Sequence, residues 1–291
     1  MNADTFLNLI NTWQFNIIAL LIVMVIFVQF YKLAVVGARK DGAVTVVLQS
    51  IGGISILVLA PFYPMKFASD PKIYLFLFIA IIFYALNDRI EATVRKHLDV
   101  SLYSILNQFS RVFLVLYGLF LLGEDLVPQK LIGGALIRLG SMALFYRRGK
   151  IHLNRYVILS MLASFFIATA IIIDVDISTY FNLPLYIMIT LIVPSVIIFL
   201  AERFSLRDIH EEFRSERMKY HLITGIAWGL LILFMIRALQ LGEVIIVAPL
   251  IAVSVLLNVI VAYFFHNERS HLPRKIIISL VIILGIYLTV A

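Results

Sequence analysis

Runs of about twenty predominantly apolar residues recur along this chain from end to end, and nothing constrains its fold more. A helix needs about 20 such residues to cross the ~30 Å hydrocarbon core of a bilayer. The pattern predicts ten spans, at residues 14–32, 42–61, 72–96, 100–122, 128–146, 155–173, 183–201, 221–241, 244–265 and 274–290. Strands of a membrane barrel would alternate polar and apolar residues, and stretches such as "FNIIALLIVMVIFVQF" and "IIISLVIILGIYL" do not. Lipid offers the backbone no hydrogen bonds, so each span is expected to be a helix. The composition agrees: 62% of residues are hydrophobic and 14% charged, whereas a soluble domain has about 45–50% apolar and about 25% charged residues. With a mean hydropathy of +1.02, the expected class is an all-α membrane protein with no stretch left for a soluble domain.

The formal charge of +7 could suggest nucleic acid, but the bases sit between spans rather than on one folded face. Of the 24 Lys and Arg residues, 17 fall in the loops after spans one, three, five, seven and nine. The opposite loops and both termini hold only Lys66, Lys72 and Lys130. Because Lys and Arg favour cytoplasmic loops, both termini are predicted outside, in what is expected to be a bacterial cytoplasmic membrane. No Lys or Arg precedes the first span, so it lacks the basic start of a cleaved signal and should be retained. There is no cysteine, which removes disulfides and thiolate chemistry. The charged stretch 202–221 is expected to be a solvated loop with some helix or, less simply, a docking element.

Two segments echo each other. Residues 119–140, "LFLLGEDLVPQKLIGGALIRLG", and 264–286, "FFHNERSHLPRKIIISLVIILGI", each end an apolar helix at Glu, turn through Pro with Lys two residues later, and resume an apolar helix with Leu-Gly. Glu124, Pro128, Lys130 and Gly140 align with Glu268, Pro273, Lys275 and Gly285, with one residue inserted in the second turn. Such self-similarity suggests duplication. Five spans per half would set the copies in opposite orientations, the inverted-repeat plan that places a transport site near the midplane. With "RALQLGEVIIVAPLIAVSVLLNVIVAYFFHNE", these stretches resemble the drug/metabolite transporter superfamily, specifically its EamA-type ten-helix members. The resemblance implies ten transmembrane helices as two inverted five-helix repeats, 1–150 and 151–291, around a central cavity that moves small metabolites, often outward. Glu124 and Glu268 then become helix-end features at opposite membrane faces, where an acid can meet the N-terminus of the next helix or a loop base, with a gating or coupling role as the alternative.

Six ionisable residues remain inside the spans: Asp88, Arg89, Glu91, Arg111, Arg138 and Arg237. Each costs about 2.5–3.5 kcal/mol on insertion scales, so each should face a cavity or a partner. Asp88 and Arg111 flank the turn between spans three and four at similar depth, which makes them either a structural pair or a cavity wall. Glu91 lies level with Asn107 and Gln108, and Ser104, Asn107, Gln108 and Arg111 form one polar helical stripe. Arg138, among Gly133, Gly134, Gly140 and Ser141, has no acid at its own depth; a guanidinium there suits a carboxylate or phosphate. Arg237 is expected to snorkel to the interface, and Arg89 to reach toward the cytoplasm. Trp228 and Asn258 are further cavity candidates, with core packing or helix–helix bonding as the simpler reading. Gln49 and Ser50 beside Gly52 and Gly53 mark either close packing or a cavity edge.

The charge cluster on spans three to five departs from most of the resembled family, which argues against a hydrophobic or neutral substrate. Span one has no carboxylate, so the coupling glutamate of the small multidrug members is missing; Asp88 or Glu91 could couple protons instead. The expected function is secondary transport, by export of a small anionic or zwitterionic metabolite through a central cavity. A flippase for a lipid-linked phosphate headgroup is the alternative within transport, and a receptor or scaffold the alternative outside it. The six histidines lie at span ends or in loops, and no H-E-x-x-H, G-x-S-x-G or P-loop occurs, so neither enzyme chemistry nor a metal, cofactor or ATP site is expected. The expected partners are a small-molecule substrate and the bilayer, not nucleic acid, with the chain a monomer or weak oligomer.

Overall fold

The computed structural model describes residues 12–107, 109–110, 113, 117, 132–133, 136, 146–147, 150–151, 154–241, 244–267 and 272–290. Helix α1, Trp13–Val35, starts at Thr12, whose hydroxyl accepts from the Phe15 N–H. Helix α2, Asp41–Ile56, continues as a 3-10 segment, Leu57–Phe62, that contains Pro61. Helix α3, Pro71–His97, is capped by Asp70, with Pro71 as its first residue, where a missing N–H costs nothing. Helix α4, Val100–Leu106, follows a short turn. Tyr146–Arg147 (β1) and Lys150–Ile151 (β2) form a small antiparallel pair. Helix α5, Arg155–Ile177, is capped by Asn154, and α6, Leu183–Ala201, by Asn182. A short helix, α7 (Leu206–Phe213), carries a Ser205–Asp208 capping box. The chain continues through α8 (Met218–Leu241), α9 (Val244–Phe265) and α10 (Leu272–Val290).

Among the described residues, six helical segments are long and apolar enough to cross a membrane: Trp13–Val35, Asp41–Phe62, Pro71–His97, Arg155–Asp174, Leu183–Ala201 and Met218–Leu241. The protein is multi-pass. Spans four and five of the sequence reading fall largely outside the described residues, as do Glu124, Glu268, Arg111, Arg138 and Gln108.

Helix α8 runs along α1 and α2, α2 along α6, and α3 along α5, while α9 joins α10 and α1. The outward faces keep large apolar side chains exposed, among them Ile18, Ile54, Leu75, Phe78, Ile158 and Leu200. A soluble domain would not leave so many on one surface, but lipid accepts them. The inner faces carry polar residues at intervals: Gln29, Gln49, Asn87, Asp88, Glu91, Asn258 and Ser279 are all buried.

One crossing sets the interior spacing. A methyl added at Gly225 would sit 2.8 Å from the Leu48 carbonyl oxygen, and one at Gly52 only 2.7 Å from the Gly225 carbonyl oxygen. Gly229 likewise faces the Gly52 backbone at 2.8 Å. Backbones this close need hydrogen in place of a side chain, the small-residue logic of membrane helix packing. Close packing is therefore what Gly52 does, while Gln49, one turn earlier, points toward α3.

Candidate functional site

Two cavities lie end to end between the helices. The inner one, about 120 Å³, is walled by Asp88, Glu91 and Arg95 of α3, Asn107 and Ser110 beyond α4, Thr190 of α6 and Trp228 of α8. The other, about 490 Å³, is a vestibule bounded by Tyr63, Lys66, Asp174, Thr179, Arg237 and Gln240. Tyr84, Ile171 and Met235 belong to both walls. A water takes about 30 Å³ of liquid, so the inner space holds about four waters' worth, whereas the vestibule falls in the ~300–1,000 Å³ range of small-molecule pockets.

Helix α3 supplies the inner chemistry because its acids recur at helical spacing. Asp88 is 3% exposed; its Oδ2 accepts from Gln49 Nε2 at 2.6 Å and its Oδ1 from Asn87 Nδ2 at 2.8 Å. A carboxylate has about four acceptor sites, so two remain for a ligand. Among the described residues no base forms an ion pair with it, and its expected partner Arg111 lies outside them. Glu91, one turn on, pairs with Arg95 at 3.1 Å. The Arg95 guanidinium also donates to the Tyr103 hydroxyl at 3.1 Å and stacks within 4.0, 4.5 and 5.0 Å of the Tyr103, Tyr31 and Phe27 rings. Phe27 and Tyr31 in turn contact Trp228, with ring centres 5.4 and 5.6 Å apart. This aromatic cage offsets part of the cost of a buried cation. On α6, Pro194 has no N–H, which frees the Thr190 carbonyl from its helical donor beside the cavity.

Several expectations meet here and others do not. Asp88, Glu91, Asn107 and Trp228 share the inner wall. Asn258 does not: its side-chain oxygen accepts from Gln29 Nε2 at 3.0 Å and its amide donates to the Ser254 carbonyl, so it ties α9 to α1. Arg237 lines the vestibule, 5.9 Å from the Tyr63 ring. Burial raises the Tyr63 hydroxyl above its ordinary pKa, while Arg237 pulls the other way. Arg89 reaches Glu202 and Thr93.

Arg95 and Lys275 were counted among loop bases, yet both are buried; Lys275 Nζ donates to the Ser101 hydroxyl at 2.6 Å. Their places near helix ends made them look solvated. Asp174 was missed because the sixth span was drawn to end at 173. It is buried, and the hydroxyls of Tyr84 and Tyr186 both donate to it.

At the end near the basic loops the described helices are tied together. Lys32 Nζ donates to the Lys96 and Leu98 carbonyls at 2.9 and 2.8 Å, and Lys96 pairs with Asp41 at 2.8 Å. Helix α7 packs against α2 at this end: Lys40 meets Asp208 at 2.7 Å, and Arg217 meets the buried Glu212 at 2.9 Å. Lys40, with help from Ser205, holds the Asp208 carboxyl down to about 2. Among the described residues no cluster of three His, Cys, Asp or Glu side chains could hold a metal ion.

No curated protein matches the sequence. Among 21 matching chains of solved structures, one crystal structure of a protein aligns with a TM-score of 0.64 over 93% of this chain and 94% of that one, at 14% identity, which speaks to the fold alone. Residues 154–291 match the model of the EamA-like transporter family. That family belongs to the drug/metabolite transporter superfamily, and the match covers the second half of this chain.

Proposed function

We propose that this protein exports a small zwitterionic metabolite by alternating access, with Asp88 receiving its cationic group in the inner cavity. The carrying observation is the state of Asp88: a buried carboxylate on a cavity wall, oriented by two amide donors and left with spare acceptor sites. A purely anionic substrate would meet two acids there, Asp88 and Glu91, against the single described arginine, Arg95, which Glu91 already engages. Arg111 and Arg138 are the proposed contacts for the anionic end, since guanidinium matches carboxylate and phosphate in bidentate geometry. Trp228 and Phe27 supply the apolar wall.

The charge bias of the loops and the two unlike ends support one orientation. With the Lys- and Arg-rich loops in the cytoplasm and both termini outside, the vestibule faces outward and the ion-paired end faces inward, so this is an outward-facing arrangement. Alternating access then requires the Lys32, Lys96 and Arg95 contacts to part while the vestibule narrows, with the two inverted repeats moving against each other.

The test is metabolite profiling, inside and outside cells, by mass spectrometry with wild type, Asp88→Asn, Arg111→Ala and Arg138→Ala at matched membrane abundance. A zwitterionic compound should shift with wild type and with none of the variants. A compound that shifts equally in all four strains would remove Asp88 and the arginines from the substrate site.

A further inference from the structure

Asp88 and Asp174 are both buried carboxylates with two hydrogen-bond donors each, but the donors differ in kind. At Asp88 both are side-chain amides, Gln49 Nε2 and Asn87 Nδ2. These amides orient the carboxylate and leave two acceptor sites, the ones the proposed substrate's cationic group would occupy. At Asp174 both are phenols, Tyr84 on Oδ2 and Tyr186 on Oδ1. A phenol donates or accepts, so either protonation state of Asp174 keeps its hydrogen bonds. Asp174 also lines the 490 Å³ vestibule, which gives a proton a route to it.

We infer that Asp174 is the proton-binding group of this transporter, loaded from the vestibule and linked to the substrate cavity through Tyr84. The coupling role rests on the transport reading above; the proton site itself does not. The carboxylate takes a proton from a hydronium ion, leaving water, and the new O–H donates to a tyrosine oxygen. Where that tyrosine is Tyr84, its own hydrogen must swing away. Because Tyr84 borders both cavities and lies one helical turn before Asp88 on α3, that swing re-aims a donor in the wall the two spaces share. Loading the outer acid is thereby communicated to the inner site without either carboxylate moving far.

The groups around Asp174 leave it free to titrate. From α3 it meets Tyr84, with Asp88 beyond; from α6, Tyr186; from the segment after α2, Tyr63 and Lys66 share the vestibule; from α8, Arg237 does. Among the described residues none of these bases forms an ion pair with Asp174, which would hold it ionised. The side chain of Asp176, two residues on, lies outside the described residues. Glu91, the other expected coupling acid, is locked to Arg95.

Infrared difference spectroscopy against pH, on the full-length protein in lipid vesicles, reads the protonation without a substrate. A carboxylic-acid carbonyl band should grow as pH falls, disappear in Asp174→Asn and persist in Asp88→Asn. Tyr186→Phe should keep the band and displace its midpoint, which holds the test open should Asp174→Asn fail to fold. A band that survives Asp174→Asn, or that is lost with Asp88→Asn instead, overturns the assignment. For coupling, metabolite export by wild type should vary with external pH, and export by Asp174→Asn should persist but lose that dependence. An unchanged pH dependence would sink the coupling role and leave transport standing; a titrating Asp174 in a chain that moves no metabolite would do the reverse.

Discussion

The two ends of this bundle spend their charges differently. At the end beside the basic loops, Lys32, Lys96, Lys40, Arg89 and Arg217 are all engaged with acids or helix-end carbonyls, and α7 packs against α2. At the other end Lys66 and Arg237 border a 490 Å³ space with Asp174 at its wall. One end uses charge to hold helices together, and the other sets charge around a cavity. A transporter needs this asymmetry, because a passage sealed equally at both ends has no access and one open at both ends has no control.

The comparison breaks most severely at Arg95, which anchors the closed end from inside. Removing one partner of a buried pair strands the other charge, at a cost of about 3–5 kcal/mol. Arg95→Leu should therefore lower the melting temperature in detergent sharply, and adding Glu91→Gln should recover a large part of the loss. Full stability in the single variant would mean that the pair is not what closes this end.

Next in size is the glycine crossing between α2 and α8. Gly225→Ala sets a methyl 2.8 Å from the Leu48 carbonyl oxygen, a backbone atom that a rotamer change cannot move aside. Overpacking of this kind costs about 1–3 kcal/mol, and the thermal melt should show it, whereas Gly37→Ala, whose contact is the Arg217 side chain at 3.4 Å, tests backbone strain at φ +80° and not packing.

The open end should respond in the opposite sense. Lys66→Ala, an exposed vestibule residue, should stay within about 0.5 kcal/mol of wild-type stability, as surface substitutions do, yet reduce export in the metabolite assay. A large stability loss with unchanged export would make this end structural too.

The smallest effect concerns Lys40 and Asp208 on the closed end's surface. Asp208 is held down to about 2 in the folded chain against about 3.9 unfolded. A carboxylate depressed by folding contributes stability that is full above the unfolded value and lost as pH falls through the folded one. Lys40→Ala should flatten the acid limb of a melting-temperature profile between about pH 4 and pH 2 and leave the neutral value almost unchanged.

Helix ends were legible where apolar runs are bounded by polar residues: the runs at 183–201 and 244–265 coincide with α6, capped by Asn182, and α9. The site was legible in its charges and illegible in its partners. Asp88 and Glu91 stood out because acids are costly in lipid, but the roles of Arg95, Tyr84 and Tyr186 depend on which helices meet. Helix pairing depends on features such as Gly52 against Gly225, which hydropathy does not weigh. Asp174 shows the same limit from another side, since one residue at a span boundary decided whether it counted as solvated or buried. Asn258 stood out as an amide in an apolar helix, but nothing in the sequence pairs it with Gln29, 229 positions away.

The most direct measurement exploits a chain without cysteine, in which a single introduced thiol reports its own access. Thr179→Cys places it at the vestibule, and Arg207→Cys places it on the exposed face of α7. A membrane-impermeant maleimide added to intact cells should label Thr179→Cys, and Arg207→Cys only after permeabilisation. Labelling of Arg207→Cys in intact cells, with Thr179→Cys protected, would contradict an outward-open vestibule above a closed cytoplasmic end.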